Sequence, residues 1–215
     1  MRVFISGMSS TGKTTLINYI KDNLDIFKSF VGIKNIVFMD ELARKFFEDH
    51  NKGYSTYEEL LCNYRDCLDY WEDLIKEFNN SMHNTNASNY IYIIDRAPID
   101  YRINLTLNYT AGTPKEMAQA ADSYDNLYHR IWLTSPSDLI FMTNPKLADT
   151  EVEDDGFRPM SLQYRRSLEK SLFEMASKDT SVIMLPSSTE KRFVKVVNEI
   201  NKKLEDKRGV YRGIE

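Results

Sequence analysis

The sequence predicts an α/β fold on a parallel sheet, and three observations carry that prediction. Five short apolar runs, residues 2–6, 35–41, 90–96, 138–143 and 181–185, are dense in Val, Ile, Phe and Tyr without clean alternation, as strands covered on both faces should be. Helix-like segments separate them, so strand and helix alternate from residue 2 to about residue 205. The linkers are short, which favours a single domain spanning residues 1–215 over two.

Each element has its own signals. After "RVFIS" (2–6), the segment "KTTLINYIKDNL" places Leu16, Ile17, Ile20 and Leu24 at helical spacing. The second strand, "NIVFMDE" (35–41), precedes "STYEELLCNYRDCLDYWEDLIKEF". There Ser55 and Glu58 form a capping box, and Leu60, Leu61, Tyr64, Leu68, Trp71, Ile75 and Phe78 mark one long amphipathic helix. A polar linker (79–89) leads to the third strand, "YIYIIDR" (90–96). In the next helix Thr113 caps, Pro114 takes the first position and Glu116 completes a second capping box, ahead of a stripe from Met117 to Ile131. The helices over 56–80 and 114–134 are expected to form a lobe over one edge of the sheet. After "DLIFMT" (138–143), an irregular acidic segment (144–159) precedes a helix starting near Ser161, and "SVIML" (181–185) precedes the last helix. There Phe193, Val196, Val197, Ile200 and Leu204 form the buried stripe. Lys191, Arg192, Lys195, Lys202, Lys203, Lys207 and Arg208 are assigned to its solvated outer face.

Composition excludes several classes. With 42% hydrophobic and 28% charged residues the chain is not disordered, and a net charge of −4 does not supply the field of a dedicated DNA-binding module. Cys62 and Cys67, five apart on a helix, point in different directions and suit neither a disulfide nor a metal site. His50, His83 and His129 lack ligand spacing. "MRVFIS" is interrupted too soon for a signal-peptide core, and no apolar run reaches the roughly 18 residues of a membrane helix. A cytoplasmic protein without a membrane partner is expected.

The chemistry begins at "GMSSTGKT": Gly7, four residues, Gly12, Lys13 and Thr14, the full G-x-x-x-x-G-K-[ST] pattern between an apolar run and a helix. Such a loop turns backbone N–H groups onto phosphate oxygens. Glycines permit the dihedrals and the close approach, and the following helix N-terminus adds positive potential. Gly7, Ser9, Ser10, Thr11, Gly12, Lys13, Thr14 and Thr15 are read as the cradle of a nucleoside triphosphate. Lys13 reaches the β- and γ-phosphates, and the Thr14 hydroxyl is placed to ligate Mg²⁺.

Ligands of open parallel sheets bind beyond the carboxyl ends of the strands. Strand two ends in "MDELAR" and strand three in "IIDRAP", each bringing an acid and an arginine to the rim that carries the loop. Asp95 is read as catalytic, holding Mg²⁺ or orienting its water, with capping of the next helix as its plainer role. Arg96 clamps a phosphoryl oxygen or joins a surface ion pair. Asp40 and Glu41 are candidates to take the proton of an acceptor hydroxyl. Glu41 is preferred, and one of the two acids is expected to cap the following helix. Arg44, a turn further on, binds substrate or pairs with these acids. Gly156 and Arg158 lie in a segment (144–170) that reads as a mobile cover, with Arg158 catalytic on closure; Arg165 and Arg166 bind phosphate or face solvent.

On "GMSSTGKTT", "DELAR", "IIDRAPID" and "DDGFR" the chain resembles the P-loop kinases of nucleosides and nucleotides, specifically the AAA-like ATPase/kinase group related to ribosylnicotinamide kinase and deoxynucleoside kinases. The resemblance implies a three-layer P-loop NTPase fold with a five-stranded parallel sheet ordered 2-3-1-4-5, a helical acceptor lobe and a lid. It implies ATP and Mg²⁺, and transfer of the γ-phosphoryl group to a small nucleoside or nucleoside monophosphate. It further implies that Glu41 and Arg96 line the acceptor side, that Arg158 belongs to the lid, and that "PSST" (186–189) lies near the adenine. Ala97 stands where serine is frequent in deoxynucleoside kinases, and the lid has a single arginine before its helix, so the acceptor's identity does not carry over.

Tyr64, Trp71 and Tyr101 are candidate stacking surfaces for that acceptor, with the core as the plainer place for most of them. Two other functions fit the same loop. One is a nucleotide-dependent regulatory ATPase that binds a partner protein. The other is a kinase acting on a modified base or end in DNA, which the net charge opposes and the basic last helix keeps open. The oligomeric state is open, a homodimer included.

Overall fold

The strands fall where the apolar runs do: β1 (Arg2–Ser6), β2 (Asn35–Met39), β3 (Tyr90–Asp95), β4 (Leu139–Met142) and β5 (Val182–Met184). In the computed structural model, which describes residues 1–8, 10–33, 35–83, 89–100, 122, 139–143, 162–178 and 182–212, they form one parallel sheet ordered β2-β3-β1-β4-β5. That is the expected order. It puts β1 between β3 and β4 and leaves β2 and β5 as edges, and the burial follows. β1, β3 and β4 are almost wholly buried, whereas β2 and β5 are mostly half-buried.

Alternate residues of each strand feed two cores. Val3, Ile5, Ile91, Ile93, Leu139 and Phe141 pack on one face with α1 (Lys13–Asp22), α2 (Leu24–Val31) and α7 (Thr189–Arg212). Phe4, Tyr92, Ile94, Ile140 and Met142 pack on the other with α3 (Leu42–His50), α4 (Tyr57–Cys62), α5 (Tyr64–His83) and Leu172 of α6 (Leu162–Lys178). The three layers arise because strand side chains have a period of two and both faces are covered.

The helices depart from the sequence reading where an asparagine interrupts an apolar period. The helix after the glycine loop stops at Asn23, whose side-chain amide and backbone N–H both donate to the Tyr19 carbonyl. Leu24 therefore starts α2, which buries Phe27 and Val31 and ends at the left-handed Gly32. The long helix expected from residue 55 is two helices, because Asn63 is extended and its Oδ1 accepts the Asp66 N–H, capping α5. Its capping box is shifted by one: Thr56 and Glu59 exchange the reciprocal bonds, not Ser55 and Glu58. The helix also runs on to His83, through the first part of the expected linker.

Two further assignments change. Trp71 is buried beside Tyr57 and Tyr70 in the core, so it offers no stacking surface. Arg192 is 2% exposed, so it does not belong to the solvated face of α7. Cys67 is a free, buried thiol, pushed up to about 12 by burial. No described helix is long and apolar enough to cross a membrane. The helix expected over 114–134, apart from helical Asp122, and the acidic segment 144–159 lie outside the described residues.

Candidate active site

The loop after β1 needs backbone conformations that few side chains tolerate: Gly7, Ser10 and Gly12 have φ of +134°, +61° and +86°. A Cβ on Gly7 would lie 2.0 Å from Thr143 Oγ1, so no larger residue fits there. The loop is stitched from within and without. The Thr11 hydroxyl donates to the Met8 carbonyl at 2.7 Å and bonds the Thr143 hydroxyl, which also reaches the Ser6 carbonyl. Gly12 takes the N-cap position of α1 without a side-chain cap, so the first turn keeps its amides for an anion.

Lys13 is buried and its Nζ donates to the Met8 carbonyl at 2.9 Å. Burial first, and the Arg96 charge second, lower its pKa to about 8, against the pull of Asp95, Glu41 and Asp100. A cavity of about 240 Å³ opens here, lined by Ser10, Gly12, Lys13, Thr14, Thr15, Glu41 and Arg96.

β3 delivers the opposite wall. Asp95 ends the strand beside Ile5 in the register; it is buried, and its Oδ1 has no hydrogen-bond partner among the described residues. Burial raises its carboxyl above the ordinary range, and Lys13 and Arg96 offset part of that. Arg96 turns out of the strand at φ +83°. Its Nε donates to Glu41 Oε1 at 2.8 Å and its Nη1 to the Gly7 carbonyl at 3.1 Å. Burial opposes the Arg96 charge, but Glu41, Asp100 and Asp95 raise its pKa overall. Burial likewise pushes the Glu41 carboxyl up, and Arg96 with Lys13 more than offsets it, so Glu41 stays below the usual range. Arg44, half-buried on α3, adds to that effect.

Geometry separates the two acids that follow β2. Asp40 is exposed and pairs with Lys21 at 3.3 Å, whereas Glu41 faces the loop. The expected cap is not made: Glu41 occupies the N-cap position of α3 but makes no side-chain cap bond. Its carboxylate is turned to Arg96 instead.

Asp100 was missed. Its Oδ1 accepts the Gly7 N–H at 3.2 Å and its Oδ2 the Ala97 N–H at 2.7 Å, so one carboxylate ties the glycine loop to the turn after β3. The local half of this was legible, because an acid three residues after Ala97, behind Pro98, is half of a capping box. Ala97 has no oxygen to supply the other half.

A second cavity, of about 280 Å³, lies on the far side of Glu41. Met39, Leu42, Phe78, Met82 and Ile94 make its apolar wall, and Asp40, Glu41, Lys45, Ser81 and Asp95 its polar one. Glu41 lines both cavities. The donors suit Mg²⁺ that also binds phosphate: Thr14 is exposed at the start of α1 and Asp95 has an orphaned buried oxygen. No cluster of three or more His, Cys, Asp or Glu among the described residues could hold a metal alone. Arg166 is exposed on α6. Ser9, Tyr101 and Arg158, and the side chains of Tyr64 and Arg165, lie outside the described set.

Comparison with known proteins bears on the fold. The AAA domain family matches residues 2–192. No curated protein matches significantly by sequence. Among solved structures, deoxyadenosine kinase from M. mycoides, with products dCMP and dCDP bound, superposes with a TM-score of 0.63 at 16% identity over 94% of this chain and 100% of that one. Thymidylate kinase from Candida albicans gives 0.58 at 13% over 94% and 92%. NadR protein in complex with NR gives 0.64 at 22% over 94% of this chain and 51% of NadR, so the chain spans about half of that protein. At such identities the likeness is one of fold.

Proposed function

This chain belongs to the AAA domain family and has the fold of P-loop nucleoside and nucleotide kinases, and on that premise we propose that it transfers the γ-phosphoryl group of ATP to a small acceptor, a nucleoside or a nucleoside monophosphate. The observation that carries this reading is the shared wall. The Glu41 carboxylate stands between a cup of amides, lysine and hydroxyls suited to phosphates and a mostly apolar pocket suited to a flat organic acceptor.

Each residue then has a task. The loop amides and Lys13, released from the Met8 carbonyl, hold the β- and γ-phosphates. With a nucleoside as acceptor, Glu41, ionised at neutral pH, accepts the proton of the acceptor hydroxyl as its oxygen bonds phosphorus and the bond to the ADP oxygen breaks; a monophosphate would attack through an ionised phosphate oxygen and need no base. Arg96, held by Glu41 and the Gly7 carbonyl, orients that base and faces the transferring group. Thr14 and Asp95 would hold Mg²⁺, which would supply positive charge against the phosphates. Phe78 and Met82 would pack against the acceptor, and Arg158, outside the described residues, is assigned to the transferring phosphoryl group from the sequence alone.

A coupled ADP-release screen with ATP, Mg²⁺ and a panel of nucleosides, nucleoside monophosphates and ribosylnicotinamide tests the reading. Turnover that depends on one acceptor class is expected. ATP turnover indifferent to every acceptor would overturn it and favour a nucleotide-dependent regulatory ATPase.

A further inference from the structure

We propose that Arg192, on the last helix, is a positioning residue that aims the amides of the glycine loop at the nucleotide's phosphates; the inference rests on the ATP-binding reading above. Arg192 crosses from α7 to the loop. Its Nη1 donates to the Thr11 carbonyl at 2.9 Å and to the Gly12 carbonyl at 3.4 Å, and its Nε donates to the Pro186 carbonyl at 2.7 Å. Because C=O and N–H point in opposite directions in a trans peptide, holding the Thr11 and Gly12 carbonyls from one side turns the N–H groups of Gly12 and Lys13 to the other. Gly12 and Lys13 line the phosphate cup and Arg192 does not, so the two sides are distinct.

Gly12 is part of the same device. A Cβ there would lie 2.6 Å from Arg192 Nη1, so glycine at this position admits the guanidinium as well as the left-handed turn.

The charge balance points the same way. Arg192 is 2% exposed, no carboxylate pairs with it among the described residues, and its Nη2 is buried without a partner among them. Burial lowers its pKa, yet a guanidinium stays protonated at any pH the protein meets. The loop is thus backed by a buried cation that no acid among the described residues neutralises, and a triphosphate in front of the loop supplies negative charge to it. The bond to Pro186 also fastens the segment after β5 to the phosphate loop.

Calorimetric titration of Mg·ATP, Mg·ADP and adenosine into wild type, Arg192→Met, Arg192→Lys and Arg192→Ala is the test, with unfolding midpoints measured alongside. Arg192→Met is expected to weaken ATP and ADP by about 10- to 100-fold and to weaken adenosine far less, through the lost bond to Pro186 alone. Arg192→Lys, which keeps the charge and loses the fork, should fall between. Millimolar guanidinium should restore ATP affinity to Arg192→Ala, and ammonium should not. A residue that serves only packing gives neither the phosphate-selective loss nor the rescue. Parallel losses for ATP and adenosine, or wild-type ATP affinity in both Arg192→Met and Arg192→Lys, overturn the inference while leaving the kinase reading intact. Absence of ATP binding by the wild type overturns both. If Arg192→Met does not fold, Arg192→Lys decides.

Discussion

Mg·ATP titrated into the protein at about pH 8.5 should draw protons from the buffer, because the fold holds Lys13 partly neutral until an anion arrives. The size of the effect follows from the site. Burial, with help from Arg96, lowers the Lys13 pKa from 10.5 to about 8. At about pH 8.5 only about a quarter of these lysines carry a proton. A triphosphate against the ammonium returns the pKa toward its usual value, so binding takes up about 0.7 proton there and about 0.1 at pH 7. The phosphates contribute little, since their last pKa lies near 6.

Calorimetry in two buffers of different ionisation heat measures the uptake directly, and Lys13→Met should abolish it. The reasoning is refuted if ATP binds at this pH with no proton uptake, or if Lys13→Met takes up as many protons as wild type. A companion effect needs no ligand. Protonated Lys13 is costly to bury below about pH 8, and the unfolded chain keeps its proton up to about pH 10.5, so this group alone adds up to ~3 kcal/mol to folded stability between the two, while the buried Cys67 thiol works the other way above about pH 9. The difference in urea midpoint between wild type and Lys13→Met, which cancels the Cys67 effect, should show that slope across the window.

Three other substitutions probe the rest of the site. Glu41→Gln should lower kcat by about 100- to 1,000-fold with little change in ATP affinity, and Asp40→Asn far less; equal losses in steady-state kinetics would remove the distinction drawn from the Arg96–Glu41 pair. Gly7→Ala should destabilise the protein by about 2 kcal/mol or more and abolish ATP binding, because the new Cβ meets Thr143 Oγ1 in a strained backbone. Urea denaturation and calorimetry would check both parts.

Much of the fold was legible because the central strands are covered on both faces, so their composition records burial rather than a particular neighbour. The glycine loop was legible because backbone geometry there admits few residue types. The helix breaks at Asn23 and Asn63 were not. Apolar spacing runs through them, and only the local hydrogen bonds of an amide stop the helix. Choosing Glu41 over Asp40 as the acid facing the loop takes the turn after β2, which adjacent residues in a sequence do not show. Arg192 looked like its lysine neighbours because charge in a periodic helix reads as solvated, and what distinguishes it is a contact with residues 181 positions away.

Sheet order has a consequence for how the protein is made. The glycine loop lies within the first 14 residues, but its supports Arg96 and Asp100 arrive just after β3, about 90 residues later. Closing so long a span comes late and slowly in folding. A nascent chain stalled on the ribosome before β3 emerges would carry the whole motif and still have no place for ATP. Nucleotide can therefore reward only chains whose β1–β3 pairing is complete, and it should act during synthesis as a late check on assembly.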